Sequence, residues 1–250
     1  MKKILSSITA TLAVAVFAIG QAAALTGSPY PSGQIGVDVS WPNCSAKISA
    51  GEPFGVVGVS YGLAYSAVNP CLAAEAHHFT NLSLYANTGL NVTNSTTDSP
   101  YWDTALLQCN GDTTCAAYHY GYNAGVQIAN QSVAAGVSSN NWWLDVETGN
   151  TWQADTSLND QSLQGEYDGL HKVLPNINIG AYSTDYQWGK IAGNWKPVDT
   201  TTNTPWAVWY ATGVHRASQA APYCAPSYSF TGGTIELVQF KGRIDQDYAC

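Results

Sequence analysis

The stretch Trp142-Trp143-Leu144-Asp145-Val146-Glu147 combines the pattern of a buried strand with two carboxylates. Side chains alternate along a strand, so Trp143, Asp145 and Glu147 are predicted to share one face, with the two aliphatic residues between them on the other. We expect the aliphatic face to pack under outer helices and the other face to point inward. Glu147 comes last, just before the turn Thr148-Gly149-Asn150. Burying two acids is costly unless they are solvated or used, so this strand end is a candidate site.

Comparable apolar runs occur on both sides of this stretch. Several are apolar almost throughout, which is typical of parallel strands covered on both faces. The segments between them look helical; residues 160–174 carry leucines at helical spacing and end before Pro175. Seven or eight strands alternating with helices predict a single-domain α/β fold, a (β/α)8 TIM-type barrel, with a doubly wound open sheet as the alternative. The predicted strands are residues 35–40, 54–60, 82–86, 142–147, 177–182, 206–211, 235–240 and 243–247.

The N-terminus has the features of an export signal. Lys2 and Lys3 precede an apolar segment, and Ala22-Ala23-Ala24 offers the small residues of a cleavage site. We predict a signal peptide over residues 1–24, with an uncleaved anchor as the alternative, and one barrel domain over residues 25–250. The mature protein is then expected to be secreted, and we expect a monomer.

Net charge excludes several classes of partner. The chain has 9 basic and 17 acidic residues, and the signal peptide holds two of the basic ones, so the mature balance is 7 minus 17, or −10. Nucleic-acid binding needs clustered Lys and Arg, so it is not expected. Anionic membrane surfaces are disfavoured for the same reason.

Six cysteines in an exported chain predict a disulfide framework. Fifteen connectivities are possible. The short polar turn between Cys109 and Cys115 favours a local pair, and Cys44 with Cys71 and Cys224 with Cys250 is our choice for the rest. The chain has no C-x-x-C motif, and its histidines lack zinc-site spacing. We therefore predict no metal and no cofactor.

Further acids occupy equivalent positions near the chain ends. Asp38 lies in the first predicted strand, and Asp245 and Asp247 lie in the last. First and last strands are neighbours in a closed barrel, so Asp38 and Asp245 should converge with Asp145 and Glu147. Clustered carboxylates drive one another's pKa apart, as glycosidic hydrolysis requires. Helix capping or ion pairing by these acids is the alternative.

Aromatic side chains near predicted strand ends could stack on sugar rings. Core packing is the alternative for each of them. The candidates for substrate binding are Tyr61, Tyr85, Trp143, Tyr182 and Trp209.

Three motifs together resemble the family 25 glycoside hydrolases, which are secreted muramidase barrels. The matching segments are Gly36-Val37-Asp38-Val39-Ser40, then Leu144-Asp145-Val146-Glu147, then Leu237-Val238-Gln239-Phe240 followed by Ile244-Asp245-Gln246-Asp247. They occur in the family's order and span most of the mature chain. The resemblance implies hydrolysis of a polysaccharide such as cell-wall glycan.

The same resemblance implies residue roles. Glu147 corresponds to the proton donor, and Asp145 to the acid that stabilises an acetamido group or an oxazolinium-like intermediate. Asp38 and Asp245 correspond to flanking acids of the pocket, and Gln239 to an inward polar contact.

The chain departs from the family in places. Its third strand reads Leu84-Tyr85-Ala86-Asn87-Thr88-Gly89 where the family has a Tyr-His-Phe-like sequence, and Asp247 replaces an Asn. Residues 91–139 form a long segment with its own cysteine pair. These differences indicate a divergent branch with an altered substrate.

Two other functions fit parts of the sequence. Gly58-Val59-Ser60-Tyr61-Gly62 matches the nucleophile elbow of serine hydrolases, with Asp185 and His215 as formal partners for Ser60. The elbow would follow only the second strand, earlier than that fold allows. A non-catalytic carbohydrate-binding barrel would keep the aromatic residues without needing the acids.

Overall fold

The computed structural model describes residues 28–92 and 99–250, so the predicted signal peptide lies outside the described residues. Eight strands follow one another around a closed barrel in chain order, which confirms the barrel over the open sheet. The strands are β1 (Ile35–Val39), β2 (Gly55–Gly58), β3 (Leu82–Asn87), β4 (Asn141–Asp145), β5 (Asn178–Ser183), β6 (Val208–Ala211), β7 (Ile235–Phe240) and β8 (Gln246–Ala249). The helices are α1 (Leu72–Ala76), α2 (Ser99–Gln108), α3 (Thr113–Ala134), α4 (Thr156–Val173), α5 (Asp185–Ile191) and α6 (Ala217–Ala220).

The last strand differs from the predicted pattern. β1 to β7 are parallel to one another, whereas β8 is antiparallel to both β7 and β1. A short turn, residues 241–245, replaces a helix between β7 and β8, so β8 begins later than predicted. Phe240 pairs with Gln246, which puts the start of β8 at the same end of the barrel as the ends of the parallel strands. We call this end the mouth.

Alternation along the strands separates two apolar layers. Leu144 and Val146 belong to the layer between barrel and helices, as predicted, whereas Trp143 lies in the barrel interior. Glycines make room for large interior rings. A Cβ on Gly180 would lie 2.3 Å from Trp143 Cζ3, and one on Gly36 would lie 2.4 Å from Phe54 Cε2.

Helices α3 and α4 touch backbone to backbone through glycines. A Cβ on Gly121 would lie 1.8 Å from the carbonyl oxygen of Ser162, and one on Gly165 would lie 2.0 Å from that of Tyr118. This contact fixes α4 beside the barrel, where Ser162 Oγ donates to the Gly89 carbonyl at 2.9 Å. The helix pair thereby anchors the loop that follows β3.

All three predicted disulfides are confirmed. They join Cys44 to Cys71, Cys109 to Cys115 and Cys224 to Cys250, with Cα–Cα distances of 5.5, 5.7 and 5.5 Å. The third ties the residue after β8 to the segment after α6. Across the described ranges, no helix has the length and apolar character needed to span a membrane.

Candidate active site

Four predicted acids come together at the mouth. Asp145 is the last residue of β4, and Glu147 lies two residues beyond it. Asp38 in β1 donates its backbone N–H to the Asp245 carbonyl at 3.1 Å, which joins the first strand to the start of the last. The negative charge of Glu147 raises the pKa of both Asp38 and Asp145. The negative charge of Asp245 raises the pKa of Asp38 and Glu147. The four side chains therefore form one electrostatic cluster.

Asp145 is buried and is held by an amide. Its Oδ2 accepts from Asn87 Nδ2 at 2.5 Å, and Asn87 Oδ1 accepts from Ser60 Oγ at 2.9 Å. Asp145 Oδ1 is buried without a hydrogen-bond partner among the described residues. Burial raises the pKa of Asp145 well above its usual value, the charge of Glu147 raises it further, and the Asn87 hydrogen bond opposes both.

Glu147 is half-buried and closer to solvent. Burial raises the pKa of Glu147, a hydrogen bond with Gln187 lowers it, and the charge of Asp245 raises it. Gln187 lies in α5, and its Oε1 accepts from the Thr148 backbone N–H at 2.6 Å. The same side chain thus contacts the acid and holds the turn that follows it.

Asp38 ends a chain of hydrogen bonds across the barrel. The Tyr182 hydroxyl donates to Gln239 Oε1 at 2.8 Å, and Gln239 Nε2 donates to Asp38 Oδ2 at 3.0 Å. Burial raises the pKa of Asp38 to about 7, and the charges of Asp245 and Glu147 contribute. The structure therefore places Gln239 inward, against an acid of the cluster.

Asp247 is a fifth acid of the cluster. It is fully buried, and its Oδ1 accepts from the Trp209 indole N–H at 2.7 Å. Burial raises the pKa of Asp247 well above its usual value, followed by the charge of Asp38. Of these five acids, only Asp245 has its pKa lowered by a neighbouring cation, which is Lys241. Protons rather than cations therefore have to offset the negative charge.

The aromatic candidates lie at different depths. Trp143 and Trp209 are each 2% exposed, and the Trp143 indole N–H donates to Tyr30 Oη at 2.9 Å. They form the floor beneath the acids and present no face to a ligand, so core packing, the alternative reading, applies to both. Tyr85 and Tyr182 pack around Trp209, with ring centroids 6.2 and 4.4 Å away.

Tyr61 lies at the rim instead. It is 45% exposed and stacks on Trp41, which is 36% exposed, with ring centroids 4.1 Å apart. Trp41 was not among the sequence candidates, although it directly follows the Asp38-Val39-Ser40 motif. The two rings form an exposed platform, which we call the rim platform.

Asn87 is another residue that the sequence candidates missed. It pairs in register with Asp145 and lies on the same face of β3 as Tyr85, so alternation could have identified it. Ser60, the candidate nucleophile, is 1% exposed, and its hydroxyl donates to Asn87 rather than to a histidine. His215 is exposed, with its backbone N–H bonded to Gln219. The structure therefore makes Ser60 a support for the carboxylates.

Comparisons with known proteins complete this description. No curated protein matches the chain. Among solved structures, the Clostridium perfringens spore cortex lytic enzyme SleM aligns at 12% identity with a TM-score of 0.49, covering 87% of this chain and 67% of that one. The family model named Lysozyme-like protein 1 matches residues 71–223, a span that includes Asp145 and Glu147 and more than half of the chain. The chain therefore belongs to the lysozyme-like protein 1 family.

Proposed function

We propose that this protein is a secreted glycoside hydrolase that cleaves cell-wall glycan by carboxylate acid catalysis, as a divergent relative of the family 25 muramidases. The observation that carries the proposal is the pair of acids at the end of β4. Asp145 and Glu147 both have raised pKa values, each through burial first, and they face a mouth lined by further acids. Membership of a lysozyme-like family supports the substrate class.

Glu147 is the proton donor in this proposal. Coupled carboxyls titrate as a set, and with little cationic compensation the pair with Asp145 retains a proton to a higher pH than an isolated carboxyl would. Of the two, Glu147 is closer to solvent and can meet a glycosidic oxygen entering the mouth. Protonating that oxygen makes the departing sugar a better leaving group.

Asp145 stabilises the positive charge that develops on the sugar. Burial and the charge of Glu147 raise the pKa of Asp145, so in the free protein Asp145 competes with Glu147 for the shared proton, and its amide donor, Asn87, opposes both effects. A substrate that becomes positively charged favours the ionised form of Asp145, directly or through an N-acetyl group. Asp38, held by Gln239, is placed to accept hydrogen bonds from sugar hydroxyls.

Secretion is supported by two independent features. Three disulfides persist in oxidising compartments and are uncommon in the cytosol. The N-terminal sequence has a charged region, an apolar segment and a cleavage-type alanine run. A cell-wall glycan is a substrate that such a protein would meet.

The test is reducing-sugar release from a panel of polysaccharides, peptidoglycan included, by wild type, Glu147→Gln and Asp160→Asn. Asp160 is the matched control because it is a half-buried acid on α4 whose pKa burial raises to about 7. We expect Glu147→Gln to lose about two or more orders of magnitude and Asp160→Asn to retain activity.

A different result would favour another function. If wild type released no sugar while wild type and Glu147→Gln bound a glycan equally, the barrel would be a carbohydrate-binding protein. Labelling of Ser60 by a fluorophosphonate probe would instead indicate a serine hydrolase.

A further inference from the structure

Asp38 and Asp247 lie next to each other on the inner face of the first and last strands. Where β8 pairs with β1, Asp247 lies opposite Gly36, two residues from Asp38 along the same face. Where β8 pairs with β7, Asp247 lies opposite Gln239, which donates to Asp38 Oδ2 at 3.0 Å. The Asp38 and Asp247 carboxyls lie within hydrogen-bond distance of each other. The fold therefore brings two acids into direct contact.

One oxygen of Asp247 meets no N–H or O–H donor within the described part of the chain. The residue is fully buried, and its Oδ1 accepts from the Trp209 indole N–H, whereas its Oδ2 is left without a donor. Buried polar atoms are nearly always hydrogen-bonded, and the neighbour of this atom is the Asp38 carboxyl. Two ionised carboxylates are both acceptors, so the contact becomes a hydrogen bond only when a proton lies between them.

The surroundings of the pair add negative charge. Burial is the largest cause of the raised pKa of both acids, and the charge of Asp245 adds to it in each case. Among the described residues the cation at this site is Lys241, and it acts on Asp245 rather than on the pair. The other titratable groups facing the pair are Glu147, Asp145, Tyr30, Tyr85 and Tyr182. Loss of the last proton would therefore put two uncompensated charges side by side.

We propose that Asp38 and Asp247 share a single proton, and that Asp247 is a positioning residue which holds Asp38 at the mouth by donating this proton in a hydrogen bond. The proton resides on Asp247 because that carboxyl is fully buried, whereas Asp38 is partly exposed and the Gln239 amide favours its ionised form.

The consequence for substrate rests on the proposed function, in which Asp38 accepts hydrogen bonds from sugar hydroxyls. When the proton shared with Asp247 is lost, the two carboxylates repel each other. Asp38 is nearer to solvent, so it moves away from Gln239 and no longer meets the sugar. Substrate binding should therefore weaken as this proton leaves.

Asp247→Asn replaces the shared proton with a donor that does not titrate. Its amide oxygen can accept from Trp209 as the carboxyl does, which leaves its N–H facing Asp38. Asp160→Asn is the matched control, because Asp160 is a half-buried acid on α4, outside the cluster, whose pKa burial raises to about 7.

The first measurement follows aspartate carboxyl signals by ¹³C NMR from about pH 4 to 10. The signals that disappear in Asp38→Asn and Asp247→Asn identify the pair. In wild type these two signals should titrate together in two separate steps. The Trp209 indole N–H should shift in the second step, when Asp247 becomes charged, and the Gln239 side-chain amide should shift as Asp38 moves away.

In Asp247→Asn the second step should disappear from the Trp209 and Gln239 signals, and Asp38 should titrate once, at lower pH than in wild type. The shared proton is overturned if each wild-type carboxyl titrates in a single step of its own, or if both are ionised below about pH 6. The positioning role is overturned if the Gln239 amide of wild type does not respond to the second step.

The second measurement is KM for a hydrolysed polysaccharide as pH rises through the second step. KM should rise about five- to tenfold in wild type and Asp160→Asn, and less than about twofold in Asp247→Asn. The same dependence of KM on pH in wild type and Asp247→Asn would also overturn the positioning role. The NMR signals need no hydrolysis, so they decide the proposal by themselves, whereas absence of sugar release at every pH would reject the proposed function.

Discussion

The side-chain amide of Asn87 donates to Asp145 Oδ2 at 2.5 Å, and these two residues are register partners on adjacent strands. Ser60 holds the other side of the same amide. An amide so fixed can only offer its N–H to the acid. Asn87 therefore favours the ionised form of Asp145 against the effect of burial.

Removing this donor should shift the pH dependence of hydrolysis. Asn87→Ala removes the hydrogen bond that lowers the pKa of Asp145, so that pKa rises further. Because the proposed reaction needs ionised Asp145, the ascending limb of the kcat/KM profile should move to higher pH. Ser60→Ala should shift it the same way but less, since Asn87 remains. An unchanged limb in Asn87→Ala, or a shift to lower pH, would contradict this role.

Folding stability should fall as pH rises from about 4 to above 7. The pKa of Asp38 is raised from 3.8 to about 7, and those of Asp145 and Asp247 are raised well above the usual value. A carboxyl whose pKa is higher in the folded protein binds more protons in the folded state than in the unfolded state. The free energy of unfolding therefore decreases as pH rises from the unfolded pKa to the folded pKa. Thermal unfolding between pH 4 and 8 should show the highest melting temperature at the acidic end.

Asp247→Asn provides the control for this pH dependence. Asn keeps an oxygen for the Trp209 indole N–H and cannot ionise, so the melting temperature should depend less steeply on pH. The variant should gain most over wild type near pH 8. A slope as steep as that of wild type would show that Asp247 does not carry a raised pKa.

The rim platform should contribute to substrate binding. Tyr61→Ala removes one of two stacked rings at an exposed position, so stability should be little changed. We expect KM for a polymeric substrate to rise roughly five- to tenfold, or about 1–1.4 kcal/mol, with kcat unchanged. Leu107→Ala, which trims an 82% exposed side chain on α2, is the control. Equal KM values in the two variants would exclude the platform.

The close contact of α3 and α4 should not tolerate a methyl group. Gly121→Ala would put Cβ 1.8 Å from the Ser162 carbonyl oxygen and force the helices apart, costing about 2–3 kcal/mol in denaturant unfolding. Gly189→Ala is the matched control because its Cβ would meet no atom within 4 Å, and this helical position should gain about 0.5–1 kcal/mol. Similar free energies of unfolding for both variants would contradict the contact.

The sequence predicted which face each side chain occupies better than how deep it lies. Alternation placed Trp143, Asp145 and Leu144 on the correct sides of β4, because the period of a strand is fixed by its geometry. Alternation carries no information about depth along the barrel axis, so Trp143 was expected beside a ligand and lies in the floor instead. The direction of β8 was also missed, because antiparallel pairing depends on the short turn before it.

The antiparallel closing strand, β8, also protects the barrel from aggregation. β8 pairs with both β7 and β1 and so closes the barrel between them, and its end is held by the Cys224–Cys250 bond. Loss of that bond under reducing conditions would leave this four-residue strand held by its pairing with β7 and β1, while its interior-facing side bears Asp247, a buried acid that gains charge as pH rises. Its departure would leave two hydrogen-bonding edges open to other copies of the chain, and such edges promote aggregation.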